Sequence, residues 1–314
     1  MISEFNRFFS SHSLASTYKP TFLKCLLDLG DYKEDEGSQW VKDTGDSLIV
    51  DLNFVAARFL RYYWPLRFKF KLKQEASGMR IAVYRILEKY DSKIGVKSTP
   101  PKNLMCSESL SELRKITIKD GIQPQVLGKL LNDCNIYSIN RGRQTITIKK
   151  EIVDFMKANK KILESALNYM ITKYLETINT HPNIAITLQE KINRTSLKQS
   201  DFAKIISGQK SRCFYCDCKG NSFAQEHFIP WNWITDTKNF NIVAACNTCN
   251  SSKNDKLPED RFLRKIIARN SNLANIAYGY TTESFEKIYH ECYNDYHGKD
   301  QPLWKPVQKN DDCK

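Results

Sequence analysis

Apolar residues at helical spacing dominate the first part of the chain. Phe22, Leu23, Leu26, Leu27 and Leu29 form a stripe that stops at Gly30, and Ser16-Thr17-Tyr18-Lys19-Pro20 ahead of it supplies capping residues and a proline near the start. A helix is expected there, followed by an acidic loop from Asp31 to Asp46. A second helix is predicted from Leu52 to Tyr63, broken by Trp64-Pro65. The period then changes. Arg67-Phe68-Lys69-Phe70-Lys71-Leu72-Lys73 alternates every second residue, which predicts a strand with basic groups on one face and apolar groups on the other. Ser98-Thr99-Pro100-Pro101-Lys102 reads as a linker. Beyond it, a helix over Gln125 to Asn132, then Ile136 to Ile139, the turn Asn140-Arg141-Gly142-Arg143 and Gln144 to Ile148, predicts a helix and a β-hairpin. That order is the one found in a winged helix, with Arg141 and Arg143 at a tip that can touch phosphates. A long amphipathic helix is expected from Lys150 to about Thr177, its buried stripe including Phe155, Ile162, Leu163, Leu167 and Ile171. A short helix before Cys213 and another from Arg261 to Arg269 complete the pattern, and the polar end from Gln308 to Lys314 is expected to fray.

Composition narrows what these elements can serve. At 314 residues there is room for two or three domains with real cores. No run of eighteen apolar residues occurs and the first residues lack a signal-peptide pattern, so the expected location is the cytoplasm, with no membrane partner. Ten cysteines, most of them scattered, fit a reducing compartment better than a disulfide framework. A net charge of +13 and a pI near 9.2 favour a polyanionic partner. The basic excess is largest over residues 101–195. From Arg58 to Lys73 basic residues interleave with Phe59, Tyr62, Tyr63, Trp64, Phe68 and Phe70, with no acidic residue among them. Arg67, Lys69, Lys71 and Lys73 over an aromatic platform would suit contact with a nucleic-acid backbone. An amphipathic strand whose aromatics are core and whose lysines are merely solvated would give the same letters.

The chemistry concentrates between Cys213 and Lys253. Cys213-Phe214-Tyr215-Cys216 and Cys246-Asn247-Thr248-Cys249 are two Cys-x-x-Cys pairs, a spacing that lets both thiolates of a pair reach one zinc ion from a tight turn. Cys218 could compete as a ligand, but 213, 216, 246 and 249 make the better set. The pairs enclose 29 residues between Cys216 and Cys246, enough for a functional insert carrying Glu226, His227 and Asn241. Phosphodiester hydrolysis needs an activated water and a neutralised oxyanion, tasks for an imidazole and a divalent metal. His227 is the candidate base. Glu226 and the carboxamide of Asn250 offer hard oxygens suited to magnesium or manganese. Asn241 would hold the loop or the His227 ring in register. Lys253, three residues after Asn250 on a predicted helix, shares its face and would meet a phosphate oxygen.

At these residues the chain resembles the HNH endonuclease family, whose core is a ββα-metal unit. The shared pattern is Cys-x-x-Cys, an acidic residue followed by His, then Asn-hydrophobic-Val, Cys-x-x-Cys-Asn and Lys, over about 65 residues. The resemblance implies His227 as general base, Glu226 and Asn250 on a catalytic Mg²⁺ or Mn²⁺, Asn241 as the orienting middle Asn, and a structural Zn²⁺ on the four cysteines. Glu226 stands where Asp is commoner, and Asn250 replaces the final His. Thr17-Tyr18-Lys19 and Tyr63-Trp64-Pro65 are loosely similar to HNH proteins of bacterial restriction and phage-defence systems. The expected fold is therefore α+β: a helical domain over 1–97 with a small β element, a segment over 98–195 resembling a winged helix, an HNH domain over 196–275 and a tail over 276–314. The expected function is metal-dependent cleavage of DNA, nicking as a monomer, with a homodimer or defence-system protein as possible partner. The competing expectation is a non-catalytic zinc module that binds nucleic acid or a partner protein.

Overall fold

The chain divides into two compact units, Met1–Asn179 and Thr180–Lys314. The computed structural model describes residues 2–10, 14–33, 37–74, 81–94, 110–188, 194–272, 281–298 and 301–306. The linker Ser98 to Lys102 and the end from Gln308 to Lys314 lie outside them.

In the first unit, α1 (Ile2–Ser10) buries Phe5 and Phe8. The expected apolar stripe becomes α2 (Tyr18–Leu27), buried almost throughout, and tightens into a 3₁₀ turn over Asp28–Asp31. A β-carbon on Gly30 would come within 2.9 Å of the Lys157 β-carbon, so glycine ends this stripe because another backbone passes close by. The expected acidic loop contains β1 (Val41–Asp43), which forms a hairpin with β2 (Ser47–Asp51) just beyond it. Helix α3 (Leu52–Phe68) starts at Asp51, whose carboxylate accepts the Asn53 amide proton at 2.7 Å. It runs through Pro65 instead of stopping before it. Tyr63, Trp64 and Leu66 are all buried around the proline, and that burial offsets the roughly 3 kcal/mol that an interior proline costs a helix.

The expected basic strand is not a strand. Arg67 belongs to α3 and pairs with Glu88 at 2.8 Å, and Lys69 caps the helix. Lys71 sits at φ +53°, outside the extended region, so no ladder forms. The alternation is nevertheless real: Phe70, Leu72 and Gln74 are buried while Lys73 is exposed. Phe59, Tyr63, Trp64 and Phe70 are core residues, so the aromatic platform faces inward.

Helices α4 (Ala82–Ile94) and α5 (Ser111–Ile116) follow, and α5 continues as a π-helix over Thr117–Leu127. The expected hairpin is present as β3 (Ser138–Asn140) and β4 (Thr145–Lys149). Its setting differs from a winged helix. Strand β4 pairs antiparallel with β2, Val50 opposite Ile146, and the sheet order is β1-β2-β4-β3. One sheet thus joins residues on both sides of the linker Ser98 to Lys102. The single long helix is two, α6 (Lys150–Ala158) and α7 (Lys160–Glu176), broken at Asn159. Leu163, Leu167 and Ile171 are buried as expected, whereas Ile162 is exposed.

The second unit contains α8 (Ile184–Thr187), α9 (Gln199–Gly208), β5 (Ala224–His227), α10 (Trp231–Ile234), β6 (Ile242–Ala245), α11 (Asn247–Lys253), α12 (Asp260–Asn272) and α13 (Thr282–Glu291), with a π-helix over Cys292–His297. Strands β5 and β6 form an antiparallel pair with Glu226 opposite Val243 and His227 opposite Ile242. Strand β6 is buried on both faces, which explains its unbroken apolar run. Ile242 and Ala244 pack on Phe202 and Ile205 of α9, while Val243 and Ala245 enter the larger core with Phe228, Phe285 and Tyr289. The residues expected to be a tail supply part of that core, through α13 and Trp304. Among the described residues no helix is long and apolar enough to cross a membrane.

Candidate functional site

Two tight turns converge at the base of the β5–β6 pair. The first is closed by the Cys213 amide donating to the Cys218 carbonyl at 2.8 Å and by Asp217 donating to Cys213 O at 3.0 Å, with Asp217 at φ +61°. Asp tolerates that left-handed conformation because its short side chain can bond locally. The Phe214 amide ties this turn to Ala244 O of β6 at 2.9 Å. The second turn is the junction of β6 and α11, where Cys246 is the N-cap and Cys249 lies in the first helical turn.

The sulfurs of Cys213, Cys216, Cys246 and Cys249 all lie within 4.8 Å of one another, close enough to hold one metal ion. The Cys216 and Cys246 sulfurs are 3.7 Å apart. Four thiolates at zinc–sulfur bond length around a tetrahedron would be roughly 3.8 Å apart. Cys218 lies outside this group, 3.6 Å from Cys216. The crowding also shows in acidity: a hydrogen bond from the Cys249 thiol pulls Cys213 down to about 4, and Cys249 holds its own proton correspondingly harder.

Glu226 and His227 close β5 and are both buried. The Glu226 carboxylate accepts from the Lys253 ammonium at 2.7 Å, and the same ammonium donates to the His227 carbonyl at 2.8 Å. Lys253 is fully buried, so it does not meet a phosphate, contrary to the sequence expectation. An isolated carboxylate in such a site would be costly, and the pairing offsets much of that cost. Burial raises the Glu226 pKa, while Lys253 opposes the rise.

The His227 ring is held at both nitrogens. The Arg194 guanidinium is 2.8 Å from Nδ1, and Nε2 is 3.3 Å from the Thr237 hydroxyl, which itself donates to Thr195 O at 2.9 Å. Arginine can only donate, so Nδ1 accepts and Nε2 carries the proton. Burial, then Arg194 and Lys253, pull the His227 pKa down to about 3, leaving the ring neutral at pH 7. Arg194 and Lys253 thus act electrostatically on both Glu226 and His227.

Asn241 is wholly buried and works on the loop rather than on the ring. Its Oδ1 accepts the Ile229 amide proton at 2.8 Å and its Nδ2 donates to Ile229 O at 3.0 Å, closing the turn after β5. Asn250 lies one turn before Lys253 on α11 and is half-buried; its carboxamide makes no hydrogen bond to any described residue. Arg269, half-buried on α12, donates to Asn239, Phe240 and Ile242 carbonyls and braces the entry to β6.

Of the remaining candidates, Arg141 and Arg143 are exposed at the tip of the β3–β4 hairpin. Arg67 is occupied by Glu88, Lys69 lies 5.1 Å from the Phe70 ring centroid, and Lys71 and Lys73 flank buried Leu72. Sequence reasoning missed Arg194, Thr237 and Arg269. Nothing in their spacing marks them, because each is placed by a contact across the fold. No protein-family model, curated protein or solved structure matches the chain.

Proposed function

We propose that the chain is an HNH-type endonuclease that hydrolyses phosphodiester bonds in nucleic acid, with DNA as the expected substrate and a structural Zn²⁺ on Cys213, Cys216, Cys246 and Cys249. The observation that carries this reading is the order of parts in one small unit. A four-sulfur group anchors two antiparallel strands and a helix, and the carboxylate and imidazole at the end of β5 are both buried beside that helix. A bare structural zinc knot has no use for a buried Glu-His pair at that place.

In this reading His227, neutral at pH 7, takes the proton of the attacking water. Glu226 and Asn250 would hold a Mg²⁺ or Mn²⁺ ion, which supplies charge neutralisation at the phosphate. The two donors are hard oxygens of the kind such a cation prefers: a carboxylate with one oxygen on Lys253, and a carboxamide with no protein hydrogen bond among the described residues. Lys253 keeps Glu226 positioned. Asn241 fixes the turn that presents His227. A bacterial defence role extends the loose N-terminal similarity.

The second reading, a non-catalytic zinc module, draws on one feature. Lys253 pairs with Glu226 and Arg194 with His227, so both groups already have partners within the protein. Supercoiled plasmid separates the two. Zinc-loaded protein dialysed free of Mg²⁺ is expected to leave plasmid intact, to nick it on addition of Mg²⁺ or Mn²⁺, and to lose that response in Glu226→Gln and Asn250→Ala. Binding without nicking under every metal condition would favour the non-catalytic module.

A further inference from the structure

His227 is buried, yet the group that closes its free nitrogen is exposed. Arg194 lies on the surface, its guanidinium 2.8 Å from Nδ1 and 5.9 Å from the centre of the Trp231 ring. Among the described residues no carboxylate forms an ion pair with it. The segment that carries it is moored: the Leu197 amide donates to the Gln225 side chain at 2.8 Å, and Gln225 donates back to Leu197 O at 3.2 Å. Thr237 meanwhile fixes the tautomer, because its hydroxyl proton is directed at Thr195 O and its oxygen is left to accept from Nε2.

This arrangement is closed for proton transfer. The lone pair a base would use is the one Arg194 covers. A guanidinium makes only a single hydrogen bond to an uncharged imidazole nitrogen, whereas a phosphodiester accepts the same fork in a bidentate contact between opposite charges. The two pairings compete for one exposed side chain, and phosphate is the stronger partner.

We propose that Arg194 is a substrate-operated latch on His227: without nucleic acid its guanidinium donates to Nδ1 and closes the base, and a backbone phosphate draws it off. The site would then open only where a phosphate has already docked. Arg194 would become a phosphate contact in the same movement. This inference rests on reading His227 as the base.

The test reads the ring directly and needs no turnover. In the full-length, zinc-loaded protein with ¹⁵N-labelled histidine, the His227 nitrogens are assigned by difference from His227→Gln. A short DNA duplex, and separately inorganic phosphate, is then titrated in without divalent metal. The duplex is expected to move Nδ1 towards the position of an uncovered lone pair, and inorganic phosphate to do so more weakly. Arg194→Met is expected to start at the uncovered position and to stay there. Arg194→Lys, which keeps the charge without the fork, is expected to respond with affinity weaker by about tenfold. A His227 spectrum unchanged by Arg194→Met would overturn the latch, as would a duplex-induced shift of equal size in Arg194→Met and the unmodified protein. A chain that moves the ring only when Arg194 is present but never cuts DNA would sink the nuclease reading and leave the latch standing.

Discussion

Lys253 shows how little of a side chain's role its sequence position reveals. Three residues beyond Asn250 on a short helix, it reads as a phosphate contact, and it is instead the buried counter-charge of Glu226, 27 residues away. The cysteine pairs were legible because their spacing is a local property. The partner of Glu226 was not, because strand pairing and helix packing set it. Removing one member of a buried pair strands the other, so Lys253→Ala is expected to destabilise the second unit by about 3 to 5 kcal/mol in chemical denaturation. Glu226→Gln with Lys253→Met should recover most of that loss; a double-variant loss equal to the sum of the two single losses would mean that the pair is not coupled. His181 gives a second test. It is buried against Trp233, with its ring nitrogens near the Pro182 and Asn232 carbonyls, and burial pulls its pKa from 6.5 to about 4 despite those two acceptors. Between those values the unfolded chain binds more protons than the folded one. Stability from this group is therefore complete above pH 6.5 and lost as pH falls towards 4, by up to about 3 kcal/mol. Denaturation of His181→Gln across that window should show a flatter acid limb than the unmodified protein, and an identical limb would remove His181 as its source.

Elements were legible where one periodicity had one cause. The stripe from Phe22 to Leu29 and the hairpin around Asn140 to Arg143 both form near the expected places. The failures share a physical origin. Lys69 to Lys73 keeps the alternating burial of a strand without its extended backbone, since packing against a core requires only that side chains alternate. Pro65 stays inside α3 because the aromatics around it are anchored. Strand β1 is three residues long, too short to show a period. The four cysteines bring a prediction at this scale. With zinc as the ion, Cys246 fixes both the end of β6 and the start of α11, so Cys246→Ser should abolish stoichiometric zinc binding and lower the unfolding midpoint of the second unit. The transition of the first unit should stay in place. Zinc content unchanged in Cys246→Ser would exclude this cysteine from the set.

For the whole molecule, charge and chemistry have different addresses. The net charge of +13 belongs to the entire chain, whereas the candidate catalytic groups lie in Thr180–Lys314. Of the basic residues proposed to grip nucleic acid, Arg141 and Arg143 remain the best placed, exposed on a hairpin tip, while Arg67 is engaged by Glu88. Binding to a DNA duplex should weaken steeply with salt. Arg141→Gln with Arg143→Gln should reduce the slope of log affinity against log salt by about 2, since each phosphate contact contributes about 0.9. A slope unmoved by both changes would place the grip elsewhere. The central claim is that the buried pair at the end of β5 performs hydrolysis, and one comparison reaches it most directly: the rate of Mg²⁺-dependent plasmid nicking by the unmodified chain and by His227→Ala, at equal zinc content and equal DNA affinity. The account predicts nicking that falls at least a hundredfold, on the order of a lost general base. Equal rates for the two proteins would contradict it.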